Sequence, residues 1–242
     1  MTHHPYLNPL CSERTLHHFA LRRAILNALC SHLEEFSGTL LDIGCGYMPY
    51  KPVVVNPPSR VTKYIGLDLD DSIYKKPESQ RPDLGWDGRT IPLEDNTVDC
   101  ALATEVLEHC PDPELTLRET LRVLKPGGLL FFTVPFLYPL HDVPHDEYRY
   151  TPFALERHFR NAGFTRLELK ALGGWDASLA QMIGLWLRLR PMSSMRTRAI
   201  LSRIAMPVVR YLAERDRPPQ VFGEVTMLTG ISGTAVKPAL TA

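Results

Sequence analysis

The sequence contains no C-x-x-C pair, and its five cysteines (Cys11, Cys30, Cys45, Cys100, Cys110) are odd in number. That argues against a disulfide framework and a zinc site, and predicts a reducing, cytoplasmic setting. Long apolar runs are missing as well. No uncharged stretch approaches the ~20 residues of a spanning helix, and the opening MTHHPYLNPL has neither the basic region nor the apolar core of an export signal. The expectation is a chain neither secreted nor integral to a membrane. Net charge is lacking too: Lys plus Arg is 27 and Asp plus Glu is 27, so no overall field draws in nucleic acid, and none is expected as a partner.

What is present is a core-forming chain, 44% hydrophobic over 242 residues, within the range of one large domain. Apolar residues at Leu21, Ile25, Ala28, Leu29 and Phe36 predict a helix over Glu13 to Phe36, stopped by Ser37-Gly38. Short apolar runs at 39–43, 64–67, 98–104 and 129–134 read as strands buried on both faces. Asp112-Pro113 offers an N-cap and a first-turn proline to a helix that Pro126-Gly127-Gly128 is expected to end. A second helix over 152–161, a strand over 164–172 and one or two late strands within 223–237 complete the pattern. This alternation predicts an α/β fold: a Rossmann-like open sheet of mostly parallel strands with helices on both faces. The expected organisation is one domain, 1–242. It comprises an N-terminal helical cap (1–38), a cofactor-binding core (39–174), a helical insertion (175–222) before the last strands, and a terminal strand region (223–242).

Chemistry concentrates at the predicted strand ends. In Leu41-Asp42-Ile43-Gly44-Cys45-Gly46-Tyr47-Met48-Pro49 two glycines let the backbone turn sharply beside a ligand. Pro49 stands where a dinucleotide fingerprint needs its third glycine, which disfavours a nicotinamide cofactor. Asp68, 22 residues beyond Gly46, is positioned to accept both hydroxyls of a ribose, with Asp70 as its rival. The spacing therefore suits a nucleoside without a pyrophosphate.

From about Thr39 to Gly163 the chain resembles the class I S-adenosylmethionine-dependent methyltransferases, of methyltransferase type 11-like character. The resemblance is carried in order by LLDIGCG (40–46), GLD (66–68), WDGRTIPLEDNTVD (86–99), ATEVLEH (103–109) and LRVLKPGGLLFFTVP (121–135). It implies S-adenosyl-L-methionine as cofactor. Gly44, Cys45 and Gly46 would contact the methionine end, Asp68 the ribose, and Asp87, with Gly88 beside it, the adenine amino group. Glu105 would face the amino-acid or sulfonium end. Asp42 would either contact the cofactor or hold the turn by bonding loop amides. His109, beside Glu108, reads as a surface or supporting residue.

The run Tyr138 to Pro152 resembles an H-D-x-P-x-D-x-x-R-Y-T-P segment of one methyltransferase subgroup, with His141, Asp142, Pro144, Asp146, Arg149, Tyr150, Thr151 and Pro152 matching. Loops at the carboxyl ends of parallel strands flank the ligand crevice, so this segment is expected to meet a small-molecule or glycan-like acceptor. If the acceptor atom is oxygen, the candidate bases are His145, His141 and Asp146, because an imidazole titrates near neutral pH and an adjacent carboxylate can orient it. An amine or carbon acceptor, or a non-catalytic nucleoside-binding partner subunit, is the alternative. Pro144 breaks any helix that would bring His141 and His145 onto one metal, so none is expected. The bland reading of the segment is that Arg149 pairs with Asp142 or Asp146 to pin the loop and Thr151 caps the next helix.

Residues 177–213 contain six arginines and no acidic residue, a local charge of +6 that leaves −6 for the rest of a neutral chain. Two readings compete. One is a lid with solvated or paired arginines; the other is peripheral contact with the anionic inner face of a membrane, since basic helices bearing Trp and Leu lie in the lipid interface.

Overall fold

The computed structural model describes residues 5–69, 78 and 81–239. Among them seven strands form one sheet: β1 (Ser37–Ile43), β2 (Arg60–Leu69), β3 (Leu84–Trp86), β4 (Val98–Thr104), β5 (Leu124–Pro135), β6 (Thr165–Leu172) and β7 (Gly230–Val236), in the order β3-β2-β1-β4-β5-β7-β6. The pairs β1–β2, β1–β4, β2–β3 and β4–β5 are parallel. The later strands reverse direction. Gly127 and Phe136 of the β5 segment donate to Lys237 and Thr229 respectively, so one strand rises as the other falls. Thr229 donates to Leu172 and Thr165 to Val236, which makes β6 antiparallel to β7 by the same argument. This is the open, mostly parallel α/β sheet that the alternation predicted.

The central strands are apolar on both faces because both faces are covered. Leu40, Leu41, Ala101, Leu102, Phe131 and Phe132 are all completely buried. Asp99 ties the amino ends of three strands together, accepting from the Thr39 amide at 2.8 Å and from Lys125 Nζ at 2.7 Å. Helix α1 (Phe19–Cys30) is followed by a short α2 (Lys51–Val54), then by α3 (Pro113–Val123), α4 (Pro152–Ala162), α5 (Trp175–Leu189) and α6 (Met195–Arg215). Asp112 Oδ1 caps α3 through the Leu115 amide, and Thr151 Oγ1 caps α4 through the Ala154 amide. Gly163, at φ 100°, closes α4 in the left-handed conformation that glycine takes without penalty.

Two local expectations are corrected. The first helix spans 19–30, not 13–36, because Ser12 and Thr15 close a turn on each other ahead of it and the chain enters a 3-10 turn at Leu33–Glu35. Pro126-Gly127-Gly128 lies inside β5 and does not terminate α3. A register irregularity between Val98 and Cys100 absorbs the extra residues, and Lys237 bonds Gly127 and Gly128. Pro207 lies inside α6. The 223–237 region supplies one strand, β7, within the one or two expected there.

Contacts divide the described chain into two compact units. One comprises residues up to Ala28, Phe136–Tyr138 and Lys170–Ile231; the other comprises Leu29–Pro135, Pro139–Leu169 and the chain from Ser232 onward. The first has its own core, in which Leu16, Ala180, Leu187 and Val209 pack with Ile183, Leu201 and Met206. The second holds β1 to β5 and every candidate site residue.

Candidate active site

The strand order places the functional ends in a row. With β3, β2, β1 and β4 side by side and parallel, the residues at or just after their carboxyl ends (Asp87 and Gly88, Asp68, Gly44 to Gly46, and Glu105) line one edge of the sheet over roughly 14 Å at the usual strand spacing. The order reverses between β1 and β4, the position at which open α/β sheets bind ligands.

Within the row, Gly44 has φ 62° and Gly46 φ 53°, and a Cβ on Gly44 would come within 2.6 Å of Val106. A Cβ on Gly46 would meet nothing within 4 Å, so the backbone there is open to a ligand. The Cys45 amide donates to Leu67 O at 3.0 Å and fastens this turn to the end of β2. The Cys45 side chain is buried, which fits packing and not nucleophilic attack. Asp68 is half-buried, with Oδ1 accepting from the Leu69 amide at 2.9 Å; Asp70 lies outside the described residues. Asp87 is exposed, and its Oδ1 accepts from the Arg89 and Thr90 amides, both at 2.8 Å. Those amides, Thr90 first, hold its carboxyl below the ordinary carboxylate range.

Asp42 is 2% exposed and accepts from the Tyr64 hydroxyl. Burial pushes its carboxyl up to about 7 despite that bond. Glu105 follows β4 at φ 55°, and its Oε1 accepts from Thr133 Oγ1 at 2.9 Å. Burial raises its carboxyl as well. The structure thus brings together the strand-end residues expected to face a cofactor, and gives Asp42 and Glu105 protein partners of their own. The open backbone at Gly46 and the ribose-positioned carboxylate of Asp68 fit an S-adenosyl nucleoside.

The acceptor-side segment is folded onto the turn after β4. The Glu108 carbonyl accepts from the Glu147 and Tyr148 amides at 2.8 and 3.1 Å, and Tyr150 Oη donates to Leu107 O at 2.8 Å. Arg149 pairs with Asp146 and not Asp142. Its Nη1 and Nη2 lie 2.7 and 2.8 Å from the two Asp146 oxygens, and it also donates to Pro139 O and Tyr148 O. The guanidinium holds the Asp146 carboxyl at about 2, which leaves Asp146 a poor proton acceptor and makes it an anchor. The same carboxylate accepts from the His141 amide at 3.0 Å and lies 3.3 Å from His141 Nδ1. His145 is exposed, and its carbonyl oxygen is 3.0 Å from His109 Nδ1.

A model of the methyltransferase domain matches residues 41–132. A methyltransferase of Mycobacterium sp. (strain KMS) is 30% identical over 67% of this chain and 69% of its own length. The chain belongs to the S-adenosylmethionine-dependent methyltransferase family. It spans only 34% of a 37.1 kDa transposon protein of Streptomyces fradiae (34% identical over 47% of this chain) and 57% of a thiol S-methyltransferase of Rattus norvegicus (29% identical over 54%). A ubiquinone biosynthesis O-methyltransferase of Chromobacterium violaceum is 28% identical over 61% of this chain and 73% of its own. Solved structures share the fold. The [4+2]-cyclase SpnF superposes with a TM-score of 0.57 at 20% identity, over 99% of this chain and 89% of its own. A methyltransferase from Archaeoglobus fulgidus superposes with 0.55 at 17%, over 90% and 93%. A cyclase on the same scaffold means that chemistry must be argued from the site.

By sequence His109 is a surface or supporting residue and Glu108 has no assigned part. The structure buries Glu108 completely, 3.8 Å from His109 Nε2, and sets the His109 ring edge-on to His141. Their adjacency in Glu105-Val106-Leu107-Glu108-His109 was the available signal. Its meaning depended on a loop more than 30 residues away.

Asp42 gives the methyltransferase a measurable pH dependence. A carboxyl that titrates near 7 when folded and near 3.8 when unfolded keeps its proton in the native state where the unfolded chain has lost it, so it contributes stability at low pH that is lost as pH rises through about 7. Urea unfolding of Asp42→Asn and the unmodified chain at a series of pH values is expected to show the difference moving in favour of asparagine by roughly 1 to 3 kcal/mol from acid to mildly alkaline pH. A pH-independent difference contradicts the assignment.

Proposed function

We propose that the chain transfers the methyl group of S-adenosylmethionine to a hydroxyl oxygen of a small-molecule or glycan-like acceptor, as one domain of the subgroup carrying the H-D-x-P-x-D-x-x-R-Y-T-P segment. The observation that carries this reading is the carboxylate-oriented imidazole of His141, 3.3 Å from Asp146 in the loop after β5. Resemblance to O-methyltransferases of ubiquinone biosynthesis supports an oxygen acceptor; likeness to a thiol S-methyltransferase makes sulfur the competing acceptor.

When bound, the cofactor supplies a methyl carbon activated by sulfonium charge. Asp68 accepts from the ribose hydroxyls and Asp87, beside Gly88, from the adenine amino group. The Gly44-Cys45-Gly46 backbone receives the methionine end, supported by Asp42 and Glu105. His145 or His141 would take the proton of the acceptor hydroxyl and pass it to solvent, leaving the oxygen free to receive the methyl group that the bound cofactor would supply. Orientation of this in-line displacement is worth up to ~7 to 11 kcal/mol and the base ~10² to 10⁴ in rate.

By calorimetric titration, Asp68→Ala is expected to weaken S-adenosylmethionine binding by ~1 to 3 kcal/mol, since two hydroxyls lose a charged acceptor. Unchanged affinity removes Asp68 from the site. Substituting His145 or His141 is expected to lower turnover while cofactor affinity holds. Retention of full activity across neutral pH by both variants favours an acceptor that needs no base.

A peripheral membrane contact through 177–213 is a second reading, favoured by one observation. Leu179, Met182, Trp186 and Leu189 form an exposed stripe at helical spacing on α5, as do Ile200, Ile204, Val208 and Tyr211 on α6. No described helix is long and apolar enough to cross a membrane. Arginines on the same elements would add roughly 1 kcal/mol each near anionic lipid. Co-sedimentation is expected with anionic but not neutral vesicles, weakening as salt rises; no binding at low salt leaves the lid reading.

A further inference from the structure

Glu108 is anomalous among the described carboxylates. Its side chain is completely buried, and neither carboxylate oxygen has a hydrogen-bond partner among the described residues. A buried carboxylate without donors is expensive, and an orphaned polar group of this kind points to something that completes it. Around it stand two imidazoles. One donor atom from each of Glu108, His109 and His141 lies within 4.8 Å of the other two.

The imidazoles are oriented as ligands are. His109 Nδ1 lies 3.0 Å from the His145 carbonyl, which can only accept, so the proton sits on Nδ1 and Nε2 presents its lone pair 3.8 Å from Glu108 Oε1. Two electron-pair donors then face each other with no donor between them. His141 Nδ1 lies 3.3 Å from both Asp146 Oδ2 and Pro139 O, the carboxylate and carbonyl partners that typically orient a ligating histidine.

We propose that Glu108, His109 and His141 form a binding site for one divalent transition-metal ion. Two imidazoles and one carboxylate suit zinc or a neighbouring first-row ion better than magnesium or calcium, which prefer oxygen donors. Ligand atoms on such an ion stand roughly 3.4 Å apart, so the three groups draw together by side-chain rotation when it enters. Three protein ligands leave a position open for water or for an acceptor hydroxyl, whose proton the ion would acidify. In that respect the inference deepens the methyl-transfer reading: it selects acceptors with a second oxygen able to chelate, and leaves His145 as the imidazole that takes the proton.

The test needs no turnover. Full-length protein, stripped with chelator and dialysed, is titrated with Zn2+ and with Mn2+ by calorimetry, and Co2+ uptake is followed by its visible absorption. The expected result is about one ion per chain, with affinity reduced at least about tenfold in both Glu108→Gln and His141→Ala and unchanged in His145→Ala. His141→Ala lies in a partly exposed loop, so it keeps the test valid if the buried Glu108→Gln variant fails to fold. Failure of the unmodified chain to bind either ion overturns the inference, as does binding that both variants retain. Because S-adenosylmethionine affinity is measured separately, a negative result here leaves the methyl-transfer reading untouched.

Discussion

The carbonyl oxygen of Glu108 is the joint on which the candidate site turns. By accepting from the amides of both Glu147 and Tyr148 it fastens the loop after β5 to the turn after β4, and the Tyr150 hydroxyl on Leu107 adds a second fastening next to it. Two segments from opposite ends of the β4-α3-β5 unit are thereby brought to one place. Without that docking, His141 and Asp146 would belong to a surface loop, and Glu108 and His109 to a solvated turn.

The loop that docks there is held from within by a charge-assisted pair. Arg149 spans both oxygens of Asp146, and the remaining donors of its fork reach the Pro139 and Tyr148 carbonyls. A bidentate arginine fixes geometry as well as charge, which a lysine at the same place would not do. The consequence for chemistry is a division of labour among acidic groups. Asp146, paired to a guanidinium, stays ionised and orients His141, whereas burial pushes Asp42, Glu105 and Glu108 toward their protonated forms. Acidic side chains of one site are thus biased toward different protonation states.

Most of the sheet was legible from pattern. The runs at 39–43, 98–104 and 129–134 are apolar on both faces, the signature of central parallel strands, and Asp112-Pro113 and Thr151-Pro152 mark helix starts through side-chain caps that are local in sequence. The errors arose where long-range pairing outweighed local punctuation. Pro126-Gly127-Gly128 reads as a helix stop ahead of the next strand, yet Lys237, more than 100 residues later, bonds those glycines into the ladder. The edge strand β3, three residues long, has too little chain to display a period.

For the site, the residues at the carboxyl ends of β1 to β4 were recognisable because the Gly44-Cys45-Gly46 turn and the strand-end Gly66-Leu67-Asp68 are each written into contiguous residues. Family membership followed from the order of those motifs. What a linear chain cannot display is which groups face one another. The choice of Asp146 over Asp142 for Arg149, the burial of Glu108 without a donor, and the meeting of His109 with His141 each depend on the separation of atoms far apart in sequence, and only the packing of the β5 loop against the β4 turn sets that separation.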